Sequence, residues 1–336
     1  KIMKKVFLLI SLFILSLVVL GDYVNILDVK MDDFGEKYKI VSYDELLKNN
    51  GQNGNDSWIA VNGIVYDVSY EKKWKNGQHK GVNAGNELSY EIENISPHNM
   101  NILDDLDIIG VLGFTLNDLK KFDGKNRNKA YVAVNGIVYD MSHSKAWKDG
   151  MHKNGIVAGK ELTYEITKLS PHGLKKLENV YPIGILIITP SDLKMFDGKD
   201  NNKAYVAVNG VVYDMSYSKA WKNGMHKNGI VAGKELTYEI TELSPHGLKK
   251  LDNVFKIGYF VFSEKELSMY NGKNGNKAYV AVNGIVYDMS YSKAWKNGEH
   301  KNGIVAGKDL TYEITELSPH GLGKLNNVYK IGFLLK

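Results

Sequence analysis

The sequence contains no cysteine. That excludes disulfides, zinc–thiolate and iron–sulfur sites, C-x-x-C-H attachment of a cofactor, and a lipid-modified N-terminal cysteine. No G-x-G-x-x-G follows a strand pattern, and the chain has no phosphate loop and no Ser-His-Asp array. Without a flavin or nicotinamide domain it does not read as a self-sufficient reductase. A basic stripe is missing too. The 43 Lys and Arg residues are interspersed with 38 Asp and Glu, for a net charge of +5, and this argues against nucleic acid as a partner. With 43% hydrophobic and 24% charged residues, the composition is that of a globular chain.

The N-terminus reads as separate from the fold. Lys1, Lys4 and Lys5 precede an apolar run from Val6 to Leu20, which ends at Gly21-Asp22. A basic stretch followed by an apolar core of that length has the form of a secretory signal. The run is shorter than the roughly 20 residues that span a bilayer comfortably. Val19 and Gly21 form a tolerable cleavage site, so residues 1–21 are expected to be either a cleaved signal or a retained anchor. The expectation is an exported protein, secreted or held at a membrane, with residues 22–37 as a linker.

Internal repetition governs the rest. Trp74, Trp147, Trp221 and Trp295 recur at nearly constant intervals, and A-V-N-G-[IV]-V-Y-D appears at Ala60–Asp67, Ala133–Asp140, Ala207–Asp214 and Ala281–Asp288. This divides the chain into units at 38–112, 113–187, 188–260 and 261–336. No Pro- or Ser-rich linker separates them, so a close-packed array is expected.

In the third unit, Thr189 and Asp192 form a capping box, repeated by Ser263 and Glu266 in the fourth. Asp197-Gly198 marks a turn. Ala204–Val208 and Val211–Met215 flank Asn209-Gly210, the strongest two-residue hairpin signal. A glycine-rich loop follows Trp221, and Leu236, Ile240 and Leu243 then recur at helical spacing. Ser244-Pro245 starts a second helix, and the apolar run after Ile257-Gly258 closes the unit as a strand. The expected class is α+β: a small sheet with helical hairpins on one side.

Eight of the nine histidines fall at two places per unit. His79, His152, His226 and His300 lie in the loop after the tryptophan; His98, His172, His246 and His320 follow Ser-Pro. The first precedes one helix and the second opens the next, so both can face one slot, where a neutral imidazole is a good metal ligand. A histidine near a helix N-terminus meets the positive end of the dipole, which favours the neutral, coordinating form. Unit one is the informative copy. Its loop has drifted to Gly81-Val82-Asn83-Ala84-Gly85 where unit two reads Asn154-Gly155-Ile156-Val157-Ala158-Gly159, yet both histidines remain. The ninth, His143, stands where other units have tyrosine and reads as a surface residue. The spacing also fits a Ser-Pro-His helix cap beside a solvated loop histidine. Met151 and Met225 precede histidines, but Gln78 and Glu299 hold the same place elsewhere, so a Met–His metal site is not expected. The Asp-Gly-Lys turns lack the downstream glutamate of a calcium loop. The tryptophans, with Tyr66, Tyr139, Tyr213 and Tyr287, are expected in the core, some of them lining the slot.

The succession of capped helix, Phe-Asp-Gly-Lys turn, Ala-Tyr-Val-Ala-Val-Asn-Gly-Val-Val-Tyr-Asp hairpin, Trp, histidine loop and Ala-Gly-Lys-Glu-Leu-Thr resembles the cytochrome b5-like haem/steroid-binding domain in its short bacterial form. The resemblance covers residues 38–336 four times over. It implies four tandem α+β domains and up to four non-covalent haem b groups. His79, His152, His226 and His300 would be the first axial ligands, standing where the family has His-Pro-Gly-Gly; here the loop reads His-Lys-Asn-Gly or His-Lys-Gly. His98, His172, His246 and His320 would be the second, at a spacing several residues shorter than in typical members. The expected function is non-enzymatic electron carriage to or from an unidentified redox partner protein or membrane donor. The alternatives are haem capture or storage, and a haem-free repeat protein that binds an apolar ligand or another protein.

Overall fold

Four Asn-Gly turns organise the sheet. In the computed structural model, which describes residues 24–97 and 100–335, antiparallel hairpins form at Trp58–Val61 with Ile64–Asp67, Tyr131–Val134 with Ile137–Asp140, Tyr205–Val208 with Val211–Asp214, and Tyr279–Val282 with Ile285–Asp288. Asn209 and Gly210 both take positive φ, 50° and 80°, as the favoured two-residue turn requires. The Glu-Leu-Thr motif anchors this turn. Thr237 Oγ1 accepts the Asn209 N–H at 2.8 Å, and Glu235 accepts the Thr237 N–H at 2.8 Å. Ser89, Thr163 and Thr311 hold the other three turns in the same way.

The capping boxes at Thr189 and Ser263 are present, with a third at Thr115. The apolar run Val6–Leu20 lies outside the described residues, among which no helix is long and apolar enough to cross a membrane. The helical hairpins differ from expectation. Glu165–Leu169, Glu239–Leu243 and Glu313–Leu317 are π-helical turns, while Gly173–Asn179, Gly247–Asn253 and Gly321–Asn327 are 3-10 turns. Ser170, held out of the helical region at φ −72° and ψ 133° before Pro171, closes the turn by donating to Glu165 O, five residues back, at 2.8 Å, whereas the equivalent Ser89–Asn94 of unit one is α-helical.

Each unit returns through a long strand: Asp107–Phe114, Tyr181–Ile188, Phe255–Phe262 and Tyr329–Leu334. The first half of each pairs antiparallel with its own hairpin. The second half pairs in parallel with the next long strand, through Gly113↔Ile185, Ile187↔Tyr259 and Val261↔Phe333. Lys39–Ser42 begins the series, with Lys39 opposite Gly110, and Leu335 ends it by bridging Ile40. The five strands thus close on themselves as a barrel. The expected boundaries at 112/113, 187/188 and 260/261 fall inside these strands, so each strand serves two consecutive units.

Alternation along the strands sorts the side chains. Ile40, Val111, Ile185, Ile187, Tyr259, Val261 and Phe333 form one buried cluster inside the barrel. Val41, Leu112, Phe114, Ile188, Phe260, Phe262 and Leu334 belong to a second cluster, outside it, that draws on all four units. Glycines allow the strands to approach: a Cβ on Gly184 would lie 2.5 Å from Leu112 O, and one on Gly332 would lie 2.8 Å from Phe260 O. Residues 24–38 plug the barrel. Ile26 N–H donates to Asn62 O at 3.0 Å, and Phe34, wholly buried, packs edge-on against Tyr259 and Phe333 at 5.0 and 5.4 Å.

Outside the barrel, neighbouring units meet through one repeated contact. Tyr90 stacks on His143, Tyr164 on Tyr217 and Tyr238 on Tyr291, at 3.5–3.8 Å between ring centroids. His143 is exposed, as expected, and also takes part in an interface through Tyr90. Beside each stack a glutamate is enclosed by the following unit. Burial pushes the carboxyl of Glu87 up to about 8, Glu161 to about 7 and Glu235 to about 8. Asp140, Asp214 and Asp288 of the following units push the same way, and the hydrogen bonds from Ser89, Thr163 and Thr237 oppose the rise. Nearby, Lys129, Lys203 and Lys277 pair with Asp140, Asp214 and Asp288 at 3.4–3.5 Å. In the fourth unit the corresponding Asp309 is exposed.

Two predictions arise here. Phe34→Ala, by emptying the plugged barrel, should cost about 3–5 kcal/mol of unfolding free energy in denaturant titration of the whole chain; a cost below about 1 kcal/mol would show that the plug is dispensable. The raised carboxyls bind protons in the folded state that the unfolded chain has released. Their stabilisation is full below about pH 4.5 and is lost as pH rises through 7 to 8. The thermal midpoint should therefore fall across that range, and Glu87→Gln, Glu161→Gln and Glu235→Gln combined should flatten the fall. An unchanged slope in that variant would overturn the assignment.

Candidate functional site

The loop bearing the first histidine of each unit is built on glycine. Gly150, at φ +71°, lies so close to the Asp123-Gly124 turn that an added Cβ would sit 1.8 Å from Asp123 O; Gly77, Gly224 and Gly298 meet the equivalent turns at 2.0, 1.7 and 1.9 Å. The Asp-Gly turns thus have a specific task, since they position the loop two residues before the histidine. The regular spacing between the two glycines was legible in the sequence, but nothing local revealed that they touch. Past the glycine, the His152 N–H donates to Ile156 O at 2.7 Å, and His226 and His300 repeat this at 2.8 Å with Ile230 and Ile304. In unit one, His79 pairs antiparallel with Val82, so the shorter loop still turns back on itself.

Each first histidine lies against its buried tryptophan. Ring centroids are 5.4 Å apart for Trp74–His79 and 5.1 Å for Trp147–His152, Trp221–His226 and Trp295–His300. His79 Nδ1 is 3.0 Å from Lys73 O and His152 Nδ1 is 3.1 Å from Ala146 O. A carbonyl can only accept, so it fixes the proton on Nδ1 and leaves the Nε2 lone pair free for a metal. His226 and His300 keep Nδ1 buried without a partner. The equivalent residue is thus held at the same depth in every unit, despite the drift in unit one.

The second histidines stand further out. The Ser170 hydroxyl accepts the His172 N–H at 3.4 Å, with Ser244–His246 at 3.4 Å and Ser318–His320 at 3.3 Å. All three histidines are exposed, whereas His79, His152, His226 and His300 are half-buried. His98 lies outside the described residues, although Pro97 lines the unit-one cavity.

A cavity joins the two histidine positions in each of units two to four. His152 and His172 line one of about 540 Å³ with Trp147, Ile166, Leu177 and Val180. His226 and His246 line one of about 380 Å³ with Trp221. His300 and His320 line one of about 690 Å³ with Trp295. The unit-one cavity, about 490 Å³, holds His79, Trp74, Ile92 and Leu103. These volumes suit a compact organic ligand. Two imidazoles facing an apolar slot, with one ring locked in the metal-binding tautomer, fit a flat metal-bearing group held from both sides. No cluster of three or more His, Cys, Asp or Glu occurs among the described residues, and Met151 and Met225 are exposed. Tyr66 and Tyr139 are buried in the core, while Tyr213 and Tyr287 pack half-buried at its edge.

Part of the chain is similar to known domains. Residues 263–335 match the family model of the Cytochrome b5-like Heme/Steroid binding domain, an interval that nearly coincides with the fourth unit. Among solved structures, a cytochrome b5 domain protein from Hadesarchaea is 47% identical over 22% of this chain and 96% of its own, with a TM-score of 0.21. A cytochrome b5 domain protein from Methanococcoides burtonii is 38% identical over 22% of this chain and 95% of its own, also with a TM-score of 0.21. No curated protein matches the chain.

Proposed function

We propose that all four units are cytochrome b5-like domains and that the protein is an exported, non-enzymatic electron carrier with up to four non-covalent b-type haems. The residue pairs would be His79 with His98, His152 with His172, His226 with His246, and His300 with His320. The observation that carries this reading is the lining of one apolar cavity by both histidines of a unit, with the inner one oriented by a tryptophan and a backbone carbonyl. Haem, when bound, supplies a one-electron ferric–ferrous couple. The two histidines of a unit would hold it from the chain, and with both bound no position would be left open for oxygen or a substrate.

The remaining work belongs to the chain. Trp147 and Trp74 stack on the inner imidazole, and Trp221 and Trp295 lie tilted against theirs at the same distance as Trp147. The carbonyls of Lys73 and Ala146 keep the proton on Nδ1 and make the ligating nitrogen more basic. Ile166, Leu177 and Val180 keep water from the slot. The exposure of His172, His246 and His320 favours a second reading, haem capture or storage, in which the outer ligand releases first. Export rests on the basic and apolar residues before Gly21, which also make membrane anchoring part of the proposal. The expected partner is a redox protein or a membrane donor.

Whole chain reconstituted with haem should take up about four haems with a low-spin, six-coordinate spectrum, and acid acetone should extract them. His152→Ala with His172→Ala should reduce uptake to about three. Haem at a thousandfold excess over its dissociation constant should add about 4 kcal/mol to stability through each linked site. A reconstitution with no Soret shift would sink the haem reading. Ready loss to apomyoglobin would favour capture over carriage.

A further inference from the structure

The mouths of the four cavities differ in one position. Lys176, Lys250 and Lys324 line the cavities of units two, three and four, four residues after the second histidine. The equivalent residue in unit one is Ile102, which lines that unit's cavity. On the opposite side, Lys80, Lys153 and Lys301 reach the mouths from the histidine loop. The three lysines after the second histidine are exposed, and none takes part in an ion pair among the described residues. The aspartates that also line these cavities, Asp140, Asp214 and Asp288, are already paired with Lys129, Lys203 and Lys277, so each mouth lysine keeps an unpaired ammonium beside the slot. Such a slot suits a ligand with a flat apolar body and a carboxylate at its outer edge.

We infer that Lys176, Lys250 and Lys324 hold the carboxylate-bearing edge of the ligand in units two to four, and that unit one, with Ile102 in that place and Lys80 on the opposite side of its mouth, favours that carboxylate less. The inference rests on the haem reading, because haem is the planar ligand whose edge bears two propionates. An ammonium at the mouth pairs with a propionate in water-exposed surroundings, where such pairs are worth up to about 1 kcal/mol, or about fivefold in affinity. The effect is one of ligand selection and does not alter the axial ligands. It also separates the sites by chemistry, so two closely related ligands would fill them in different orders.

The test compares haem with its dimethyl ester, which keeps the ring and iron but has no free carboxylates, by Soret titration of the full chain. His79→Ala confines binding to units two to four, and His152→Ala with His226→Ala and His300→Ala confines it to unit one. The first variant should prefer haem over the diester by about fivefold, with the preference shrinking at high salt. Adding Lys176→Ile, Lys250→Ile and Lys324→Ile should abolish the preference while binding of the diester is unchanged. The unit-one site should bind both within about twofold, and Ile102→Lys should strengthen the preference there. Equal binding of both ligands by units two to four, or a preference that survives the triple lysine change, would overturn the inference and leave the haem reading intact. Binding of neither ligand at any site would overturn both.

Discussion

Everything in this molecule depends on strand sharing. A strand such as Tyr181–Ile188 completes the sheet of one unit with its first half and founds the next unit with its second. Because side chains alternate across the strand, one half-strand sends Ile185 and Ile187 into the barrel and Leu186 and Ile188 into the outer core. Units two, three and four keep clusters of their own around Trp147, Trp221 and Trp295, but the rest of the core is shared. A small domain has little interior to bury, and pooling the interiors of four around a common barrel relieves that shortage without disulfides, which the sequence could not form.

The interfaces follow from the same arrangement. Once the strands fix neighbouring units side by side, the tyrosine stacks and the enclosed glutamates recur at three junctions. A carboxyl at each junction tolerates enclosure by staying protonated near neutrality. The exposed Asp309 shows the contrast: where no neighbouring unit encloses it, the same position is wet. Protonation at these positions is thus a property of the assembly of units, not of any unit alone.

Much of this was legible in the residues. The repeat period, the Asn-Gly hairpins, the capping boxes and the grouping of eight histidines into two classes all come from local patterns, and local geometry obeyed them. The helices after Ala-Gly-Lys-Glu-Leu-Thr were legible only in part, because apolar spacing does not distinguish an α-turn from a π-turn. The barrel was not legible at all. Its pairings join residues a full repeat or more apart, and a buried parallel strand shows no alternation to reveal which face is which. Likewise, the placement of the histidine loop depends on Gly124 meeting Gly150, a contact that no single stretch of sequence contains. The lysines at the mouths were hidden by the even mixture of charge along the chain, since only the fold gathers Lys153 and Lys176 at one opening.

The bridge between Ile40 and Leu335 has a consequence for how the chain is made. Its two partners stand near opposite ends of the sequence, so the contact is unavailable while synthesis is under way. Until the final strand emerges, the barrel is an open trough, with Phe34 bare of Phe333 and an apolar interior facing water. Local hairpins can form early, but closure of so long a loop is slow and comes last. The order of events is built into the topology: the strand at Ile40 waits for the strand at Leu335, and only then does the barrel acquire an inside.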